Sequence, residues 1–238
     1  MPDRARIQFV YFDLDDTLLD HRAAERAALR DVCTQFADLF GAYTLDTVHD
    51  TYHRINAPLW TAYAAGTIDK ASVKEARFRK LLKALGQDVE PHDRVNRYYL
   101  ERYAAHWQFV PGAQTAYTQI ANAYNVGILT NGFQEIQMRK MNNFPTLQRE
   151  ASVVIVSEET GHLKPHPAVF DHAAARANVS PDSILYVGDS YTSDVEGSAQ
   201  AGWHVAWYVP DGTAHKPVPN GYSFSSWSTL QKHLLGVV

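Results

Sequence analysis

The sequence predicts an α/β protein: a parallel sheet covered by helices on both faces, with an all-helical segment inserted after the first strand. Five short segments are almost continuously apolar, which is typical of strands that are buried on both faces. Helical periodicity separates most of these segments, and strands that alternate with helices indicate a parallel sheet. The long interval between the first two strands has helical periodicity alone, which indicates the insertion.

The predicted strands follow one another in the order IQFVYFDLD, YNVGILTNG, ASVVIVSEE, SILYVGDS and WHVAWYVP. The helices predicted between them lie near residues 113–124, 134–141, 168–178 and 194–201. Ser193 and Glu196 have the spacing of a capping box at the start of the last helix, and Gly202 follows its end. Local capping signals therefore agree with the alternating pattern.

The segment 18–107 contains no convincing strand, and we assign it to a separate helical domain. Three amphipathic stretches within it predict helices: AAERAALRDVCTQFADLF, SVKEARFRKLLKALG and HDRVNRYYLERYAAHW. Ser72 and Glu75 have capping-box spacing at the start of the second stretch. The remaining residues, 1–17 and 108–238, are assigned to the domain that contains the sheet.

Composition excludes several classes of partner. The chain has 238 residues, a formal net charge of -4 and no long basic run, so a nucleic-acid polymer is not expected to bind. Its apolar stretches fall short of the roughly 20 residues of a membrane span, and the N-terminal apolar run is too short for a signal peptide. Cys33 is the one cysteine, which excludes a disulfide within the chain. We therefore expect a soluble, cytoplasmic protein, either a monomer or a homodimer.

Polar residues that can carry out chemistry follow the predicted strands. Ligands of open parallel sheets bind beside the carboxyl ends of the strands, so residues at those ends are expected to meet at one edge. The residues placed there are Asp13, Asp15, Thr130, Asn131, Gly132, Lys164, Asp189 and Asp194. The sequence therefore predicts one site shared by four strand ends.

This set of side chains suits a metal ion and a phosphate. Carboxylates from different strands can bind a hard divalent cation, and Mg2+ is typically held by one or two carboxylates together with phosphate oxygens and water. Lys164 and Thr130 can hold a phosphate through charge and hydrogen bonding, so a small anionic substrate fits despite the negative net charge. The cation would also offset the repulsion between crowded carboxylates.

Two of the carboxylates are suited to different steps of one reaction. Asp13 and Asp15 are two residues apart, so an extended backbone would place both side chains on the same face. One carboxylate can attack phosphorus while the other handles the proton. Thr17 lies two residues after Asp15, so its side chain is expected on the same face, where it could brace the turn. Asp16 points to the opposite face and is assigned a loop or capping role.

Four short motifs, taken together, resemble those of the haloacid dehalogenase (HAD) superfamily. The first motif, DxDx[TV], corresponds to DLDDT at residues 13–17. The second and third, a Thr or Ser that ends a core strand and a Lys before a helix, correspond to Thr130 and to Lys164 in LKPHPAVF. The fourth, GD followed by a second Asp, corresponds to GDSYTSD. All four occur in the family's order.

The resemblance implies a fold and a metal site. The fold is a Rossmann-like core with an inserted helical cap that closes over the site and excludes water. The implied metal is Mg2+, held by Asp13, by the backbone carbonyl of Asp15 and by Asp189. Asp194 would support the metal directly or through water.

The resemblance also implies catalytic roles. Asp13 would be the nucleophile that forms an aspartyl-phosphate, and Asp15 would protonate the leaving alcohol and then activate the hydrolytic water. Thr130 and Lys164 would orient the phosphoryl oxygens, with help from the backbone near Asn131 and Gly132.

These roles predict a Mg2+-dependent phosphatase that acts on a small phosphorylated metabolite. The segments FDLDDTLLDH, ILTNGFQEIQMRKM and VIVSEETGHLKPHPAVF are similar to those of the pyrimidine nucleotidase branch, which implies a nucleoside 5'-monophosphate as the substrate. Three alternatives stay open: a phosphomutase of the same fold, a haloacid dehalogenase, and a binding module without catalysis. Asp15 argues against a dehalogenase, because a carbon–halogen substrate needs no acid there.

Selectivity for the leaving group is assigned to the helical insertion and to the turn at Asp20–His21. The candidate side chains are His21, Asn56, Trp60, Arg77 and Phe78. Trp60 and Phe78 could stack on a flat base or could pack between helices, and both interpretations stay open. The eleven histidines show no spacing of metal ligands, and His162 and His166 are interpreted as solvated loop residues.

Overall fold

The computed structural model describes residues 6–213 and 216–236. The chain forms two compact units, one made of Met1–Asp20 and Phe109–Val238 and the other of His21–Gln108. The first boundary falls later than the sequence suggests, after residue 20 rather than after residue 17. Leu18 and Leu19 are buried in the core of the first unit, and the Leu18 carbonyl accepts a hydrogen bond from Val110 N. These contacts explain why the first unit continues to Asp20.

The first unit contains a six-stranded sheet in which all neighbouring strands are parallel. The strands are β1 (Phe9–Phe12), β2 (Asn125–Thr130), β3 (Ala151–Val156), β4 (Ile184–Gly188), β5 (His204–Tyr208) and β6 (Gly221–Phe224). Their spatial order is β3-β2-β1-β4-β5-β6. The predicted α/β class is confirmed, and all five predicted strands are present. The apolar pattern misses β6 because this edge strand has four residues, of which one alone is buried.

The second unit is helical and has an aromatic core. Its helices are α1 (His21–Gln35), α2 (Ala37–Phe40), α3 (Leu45–Ala64), α4 (Lys70–Ala84) and α5 (His92–Ala105). The rings of Tyr52, Phe78 and Tyr99 pack together, with centroids 5.0 to 5.6 Å apart. The predicted cap at Ser72 is wrong, because Asp69 precedes α4 and its side chain accepts a hydrogen bond from Ser72 N.

Helices also pack on the sheet of the first unit. They are α6 (Ala113–Ala121), α7 (Gln134–Asn143), α8 (Pro145–Glu150), α9 (Pro167–Ala177), α10 (Gly197–Gln200) and α11 (Trp227–Leu235). Successive residues of β1 alternate between two cores: Val10 and Phe12 belong to the core that includes α6 and α11, whereas Phe9 and Tyr11 belong to the core that includes α9. This burial on both faces explains the nearly continuous apolar strands.

The turn before α10 differs from the predicted helix start. Residues Tyr191–Glu196 form a π-helical turn, and Ser190 rather than Ser193 caps it, because the Ser190 side chain accepts a hydrogen bond from Ser193 N. None of the helices in the described part of the chain is long and apolar enough to cross a membrane.

Candidate active site

A buried lysine lies between two buried aspartates at the carboxyl edge of the sheet. Asp13 directly follows β1, Lys164 precedes α9, and Asp194 lies in the turn after β4. Lys164 Nζ is 2.8 Å from Asp13 Oδ1 and 2.7 Å from Asp194 Oδ1, and it also donates a hydrogen bond to the Leu129 carbonyl over 3.2 Å. Since all three charged residues are less than one tenth exposed, these contacts hold the ammonium group in one place.

Three carboxylates form a cluster that fits a hard cation. Asp13, Asp189 and Asp194 each offer an oxygen within 4.8 Å of the other two. Oxygen donors of this kind are the ligands that Mg2+ and Ca2+ prefer. Thr17 Oγ1 donates to Asp189 Oδ1 over 3.2 Å, and Trp207 Nε1 donates to the Asp189 carbonyl over 2.8 Å. Asp189 is therefore oriented through both its side chain and its backbone.

Asp194 is held against the end of β4. Its Oδ2 accepts a hydrogen bond from Ser190 N over 3.0 Å, while its Oδ1 contacts Lys164. A Cβ atom at Gly188 would lie 2.4 Å from Asp194 Oδ2, so this position of the carboxylate requires glycine at residue 188. Asp194 therefore has two roles, because it orients Lys164 through Oδ1 and is also a member of the carboxylate cluster.

Asp15 is held by two residues of α7. Lys140 Nζ lies 2.5 Å from Asp15 Oδ1 and 2.7 Å from Oδ2, and Gln137 Nε2 donates to Oδ2 over 3.0 Å. Gln137 and Lys140 are each 1% exposed. Neither residue is predicted from the sequence, because their role depends on which face of α7 turns toward β1. Their three-residue spacing, which places both on one helix face, is the signal that could have paired them.

The end of β2 is braced by side chains. Gln137 Nε2 donates to Thr130 Oγ1 over 2.7 Å, and Thr130 Oγ1 lies 3.2 Å from the Asn131 carbonyl. Asn131 Nδ2 donates to the Lys164 carbonyl over 3.0 Å, and Asn131 Oδ1 accepts from Lys164 N over 2.8 Å. Gly132 has a φ of 144°, and a Cβ there would lie 2.9 Å from Gln137 Cδ. The Asn131 side chain therefore ties β2 to the lysine loop.

Tyr186 is a further residue of the site that the sequence does not reveal, since it lies within the apolar strand β4. Its hydroxyl donates to the Leu129 carbonyl over 2.8 Å, and Lys164 Nζ lies 5.0 Å from the centre of its ring. Burial and the nearby carboxylates of Asp194 and Asp13 raise the pKa of Tyr186 well above its ordinary value. Tyr186 therefore stays a neutral phenol that packs beside the lysine.

Burial and charge set the protonation of the two central groups. Burial raises the pKa of Asp13 to about 7. Attraction to Lys164 lowers this pKa but does not cancel the effect of burial, and repulsion from the carboxylate of Asp194 raises it further. Burial alone would lower the pKa of Lys164, but attraction to Asp13 and Asp194 outweighs it, and the pKa lies above its ordinary value. Lys164 thus stays charged at neutral pH. A cation bound to Asp13 would favour its ionised form.

In metal-free protein, the Tm of Asp13→Asn relative to that of wild type is expected to rise as the pH rises. The folded-state pKa of Asp13 is raised above that of the unfolded chain, so wild type loses stability as pH rises from about 4 to about 7, and the neutral amide avoids this loss. Thermal unfolding of both proteins in a chelator at several pH values measures the difference. A difference in Tm between the two proteins that is the same at every pH would contradict the raised pKa of Asp13.

Two candidate substrate residues are buried inside the helical unit. Phe78 is 0% exposed and packs between Tyr52 and Tyr99, so it has no face for a base, and of the two interpretations left open for it the structure supports helix packing. Arg77 is 6% exposed, its Nε donates to Asn96 Oδ1 over 2.9 Å, and its guanidinium lies 5.4 Å from the centre of the Tyr99 ring.

The other three candidate substrate residues are partly exposed. His21 Nδ1 lies 2.7 Å from the Tyr103 hydroxyl. Trp60 packs edge-on against Tyr63, with ring centroids 5.7 Å apart. Asn56 Oδ1 is enclosed and accepts no hydrogen bond from the part of the chain that the structure describes. Their assignment to substrate binding stays a prediction.

Comparison with known proteins identifies the class of protein. The family model of the haloacid dehalogenase-like hydrolases matches residues 7–202. The chain therefore belongs to this hydrolase family, and the resemblance carried by the four motifs is confirmed.

Individual relatives match along almost the whole chain. Pyrimidine 5'-nucleotidase YjjG of Escherichia coli (strain K12) is 28% identical over 228 residues, which cover 95% of each chain. Pyrimidine 5'-nucleotidase PynA of Streptococcus pneumoniae (strain ATCC BAA-255 / R6) is 30% identical over 237 residues, which cover 96% of this chain and 97% of the relative. The crystal structure of the putative HAD-hydrolase YfnB from Bacillus subtilis bound to magnesium superposes with a TM-score of 0.79 at 28% identity, covering 96% of this chain and 99% of that one.

Proposed function

We propose that this hydrolase is a Mg2+-dependent phosphatase that cleaves small phosphomonoesters through an aspartyl-phosphate on Asp13, with pyrimidine nucleoside 5'-monophosphates as its substrates. The observation that carries the proposal is the buried Asp13, which lies 2.8 Å from the Lys164 ammonium and within the carboxylate cluster. This arrangement offers a nucleophile beside fixed positive charge, as a phosphoryl group requires. The named activities of YjjG and PynA support the nucleotide as substrate.

The donor set of the cluster supports Mg2+ as the cofactor. Asp13, Asp189 and the backbone carbonyl of Asp15 would hold the ion, with Asp194 beside them. When bound, the ion would neutralise phosphoryl oxygens and keep Asp13 ionised. The magnesium-bound structure of YfnB supports the same choice of metal.

The first half of the reaction transfers the phosphoryl group to the enzyme. An Asp13 oxygen forms a bond to phosphorus while the bond from phosphorus to the ester oxygen breaks. Lys164 and Thr130 position the phosphoryl oxygens. Asp15 in its protonated form gives a proton to the departing alkoxide, which leaves as an alcohol.

The second half returns the enzyme to its starting state. Asp15, now a carboxylate, takes a proton from water as that water attacks the phosphorus of the aspartyl-phosphate, which releases inorganic phosphate and restores Asp13. The contacts of Lys140 with both Asp15 oxygens fit this ionised form. To act as the acid, Asp15 must take up a proton and release at least one of these contacts.

Phosphate release from a panel of substrates tests the proposed function. The panel comprises pyrimidine and purine nucleoside 5'-monophosphates, sugar phosphates and phosphoglycolate, each assayed with Mg2+. We expect the highest kcat/KM for a pyrimidine nucleotide. Isomer formation without phosphate release would instead identify a phosphomutase, halide release from a 2-haloacid would identify a dehalogenase, and no turnover of any compound would favour a binding module.

A chelator is expected to stop phosphate release, and added Mg2+ to restore it. Ca2+ should bind but support turnover poorly, because its larger and looser coordination shell would misplace Asp13 relative to phosphorus. Initial rates in chelator, in Mg2+ and in Ca2+ measure this dependence. Undiminished turnover by metal-free enzyme would rule out the proposed metal dependence.

A further inference from the structure

Three side chains of the helical unit form a second cluster of possible metal ligands. One donor atom from each of Glu25, His49 and His53 lies within 4.8 Å of the other two. His49 and His53 are four residues apart in α3, so they share one helix face, and Glu25 reaches them from α1. His53 Nε2 lies 3.2 Å from His49 Nε2 and 2.8 Å from Glu25 Oε1. This arrangement revises the expectation that no histidines have the spacing of metal ligands.

Glu25 is a buried carboxyl group beside histidine side chains. Its side chain is 2% exposed, and its ion-pair partners within the described residues are two histidines, His53 at 2.8 Å and His21 at 3.8 Å. Despite the short distance to His53, Oε1 accepts no well-directed hydrogen bond from the described part of the chain. A buried carboxylate is costly without compensating charge, and histidine supplies that charge only in its protonated form. A bound metal ion would supply it while the histidines stay neutral.

We propose that Glu25, His49 and His53 bind a transition-metal ion of the zinc type, which links α1 to α3. Two imidazoles and a carboxylate are a donor set that suits Zn2+. Nitrogen ligands of a tetrahedral zinc ion lie about 3.3 Å apart, given the usual Zn–N distance. The two Nε2 atoms are 3.2 Å apart, which is close to this separation.

The surroundings of the two histidines also fit this role. Asp50 Oδ1 lies 3.6 Å from His49 Nδ1, which is too long for a hydrogen bond but adds negative charge that favours a cation nearby. The His53 side chain is 46% exposed, which gives an ion access from solvent. Neither feature depends on the proposed phosphatase function.

Calorimetric titration of the tag-free protein with Zn2+, in excess Mg2+, tests the site. Mg2+ competes for the oxygen-only cluster around Asp13, so it leaves the imidazole site to zinc. We expect one zinc ion per chain in wild type. Loss of a residue that only supports a metal ligand weakens metal binding by about 10–100-fold. His49→Gln and His53→Gln each remove a ligand itself, so each should weaken zinc binding by at least that factor. Zn2+ should raise the Tm of wild type more than that of either variant.

A matched control comes from a second pair of histidines with the same spacing. His162 and His166 are exposed and stack with ring centroids 3.7 Å apart, so the double variant His162→Gln/His166→Gln should keep full zinc affinity. His53→Gln changes an exposed side chain, and far-ultraviolet circular dichroism would check that its helices are retained. Absence of zinc binding by wild type would overturn the proposal, as would binding that is unchanged in His53→Gln and lost in Asp189→Asn.

Discussion

Asp13→Asn is expected to lower phosphate release by about 10⁴-fold or more while the protein stays folded. The amide nearly matches the carboxylate in shape, so the packing around β1 is retained. It cannot form the bond to phosphorus, and it also removes one negative charge from the cluster that would hold the cation. Rates of phosphate release with a nucleoside monophosphate and with p-nitrophenyl phosphate, together with thermal unfolding, measure both effects.

Asp16→Asn is the matched control for this substitution. Asp16 has a φ of 58°, a left-handed conformation that asparagine also tolerates, and its backbone N–H donates to the Leu19 carbonyl over 2.7 Å. The same chemical change three residues along the chain should therefore leave turnover close to that of wild type. Full activity in a pure preparation of Asp13→Asn would disprove the nucleophile assignment.

The central residues of the candidate site could be predicted because they follow strands. A parallel sheet places the carboxyl ends of its strands at one edge, so Asp13 after β1 and Asp189 after β4 are brought together by the topology alone. Lys164 reaches the same edge from the segment that follows β3. Apolar runs identify such strands reliably, since both faces of the sheet are buried.

Residues that act from helices could not be predicted in the same way. The sequence shows that α7 is helical, but the rotation of a helix about its axis is decided by packing against the sheet. Gln137 and Lys140 contact Asp15 through that packing, and polar side chains in a surface helix usually face solvent. The same difficulty applies to Phe78, because an aromatic residue in a helix fits a packing role and a binding role equally well.

Short strands and interrupted helices are the other features that the sequence did not predict. Strand β6 is a four-residue edge strand, and its pattern carries little apolar signal. Helix α3 contains Pro58 in its interior, a residue that usually ends or kinks a helix, and the amphipathic stretches quoted from the sequence do not include it. The pair His49 and His53 lies in this helix, so their shared face became visible only with the structure.

Asp15→Asn is expected to slow phosphoryl transfer to Asp13 by about 10²–10⁴-fold for an alkyl phosphate, and by much less for p-nitrophenyl phosphate. An alkoxide is a poor leaving group that needs a proton as the ester bond breaks, whereas p-nitrophenolate leaves readily without one. Single-turnover rates with the two substrates measure the difference. An equal loss for both substrates would contradict the role of Asp15 as the acid.

A second variant separates this chemical effect from a structural one. Asp15→Asn takes a carboxylate away from Lys140, which is 1% exposed, so part of the loss could arise from a buried ammonium that has lost a charged partner. In Asp15→Asn/Lys140→Met that charge is removed as well, and the Tm should recover relative to Asp15→Asn alone. We expect the rate for the alkyl phosphate to stay low in the double variant, since the acid is still absent. Recovery of that rate together with the Tm would instead assign Asp15 a purely structural role in holding α7 against the end of β1.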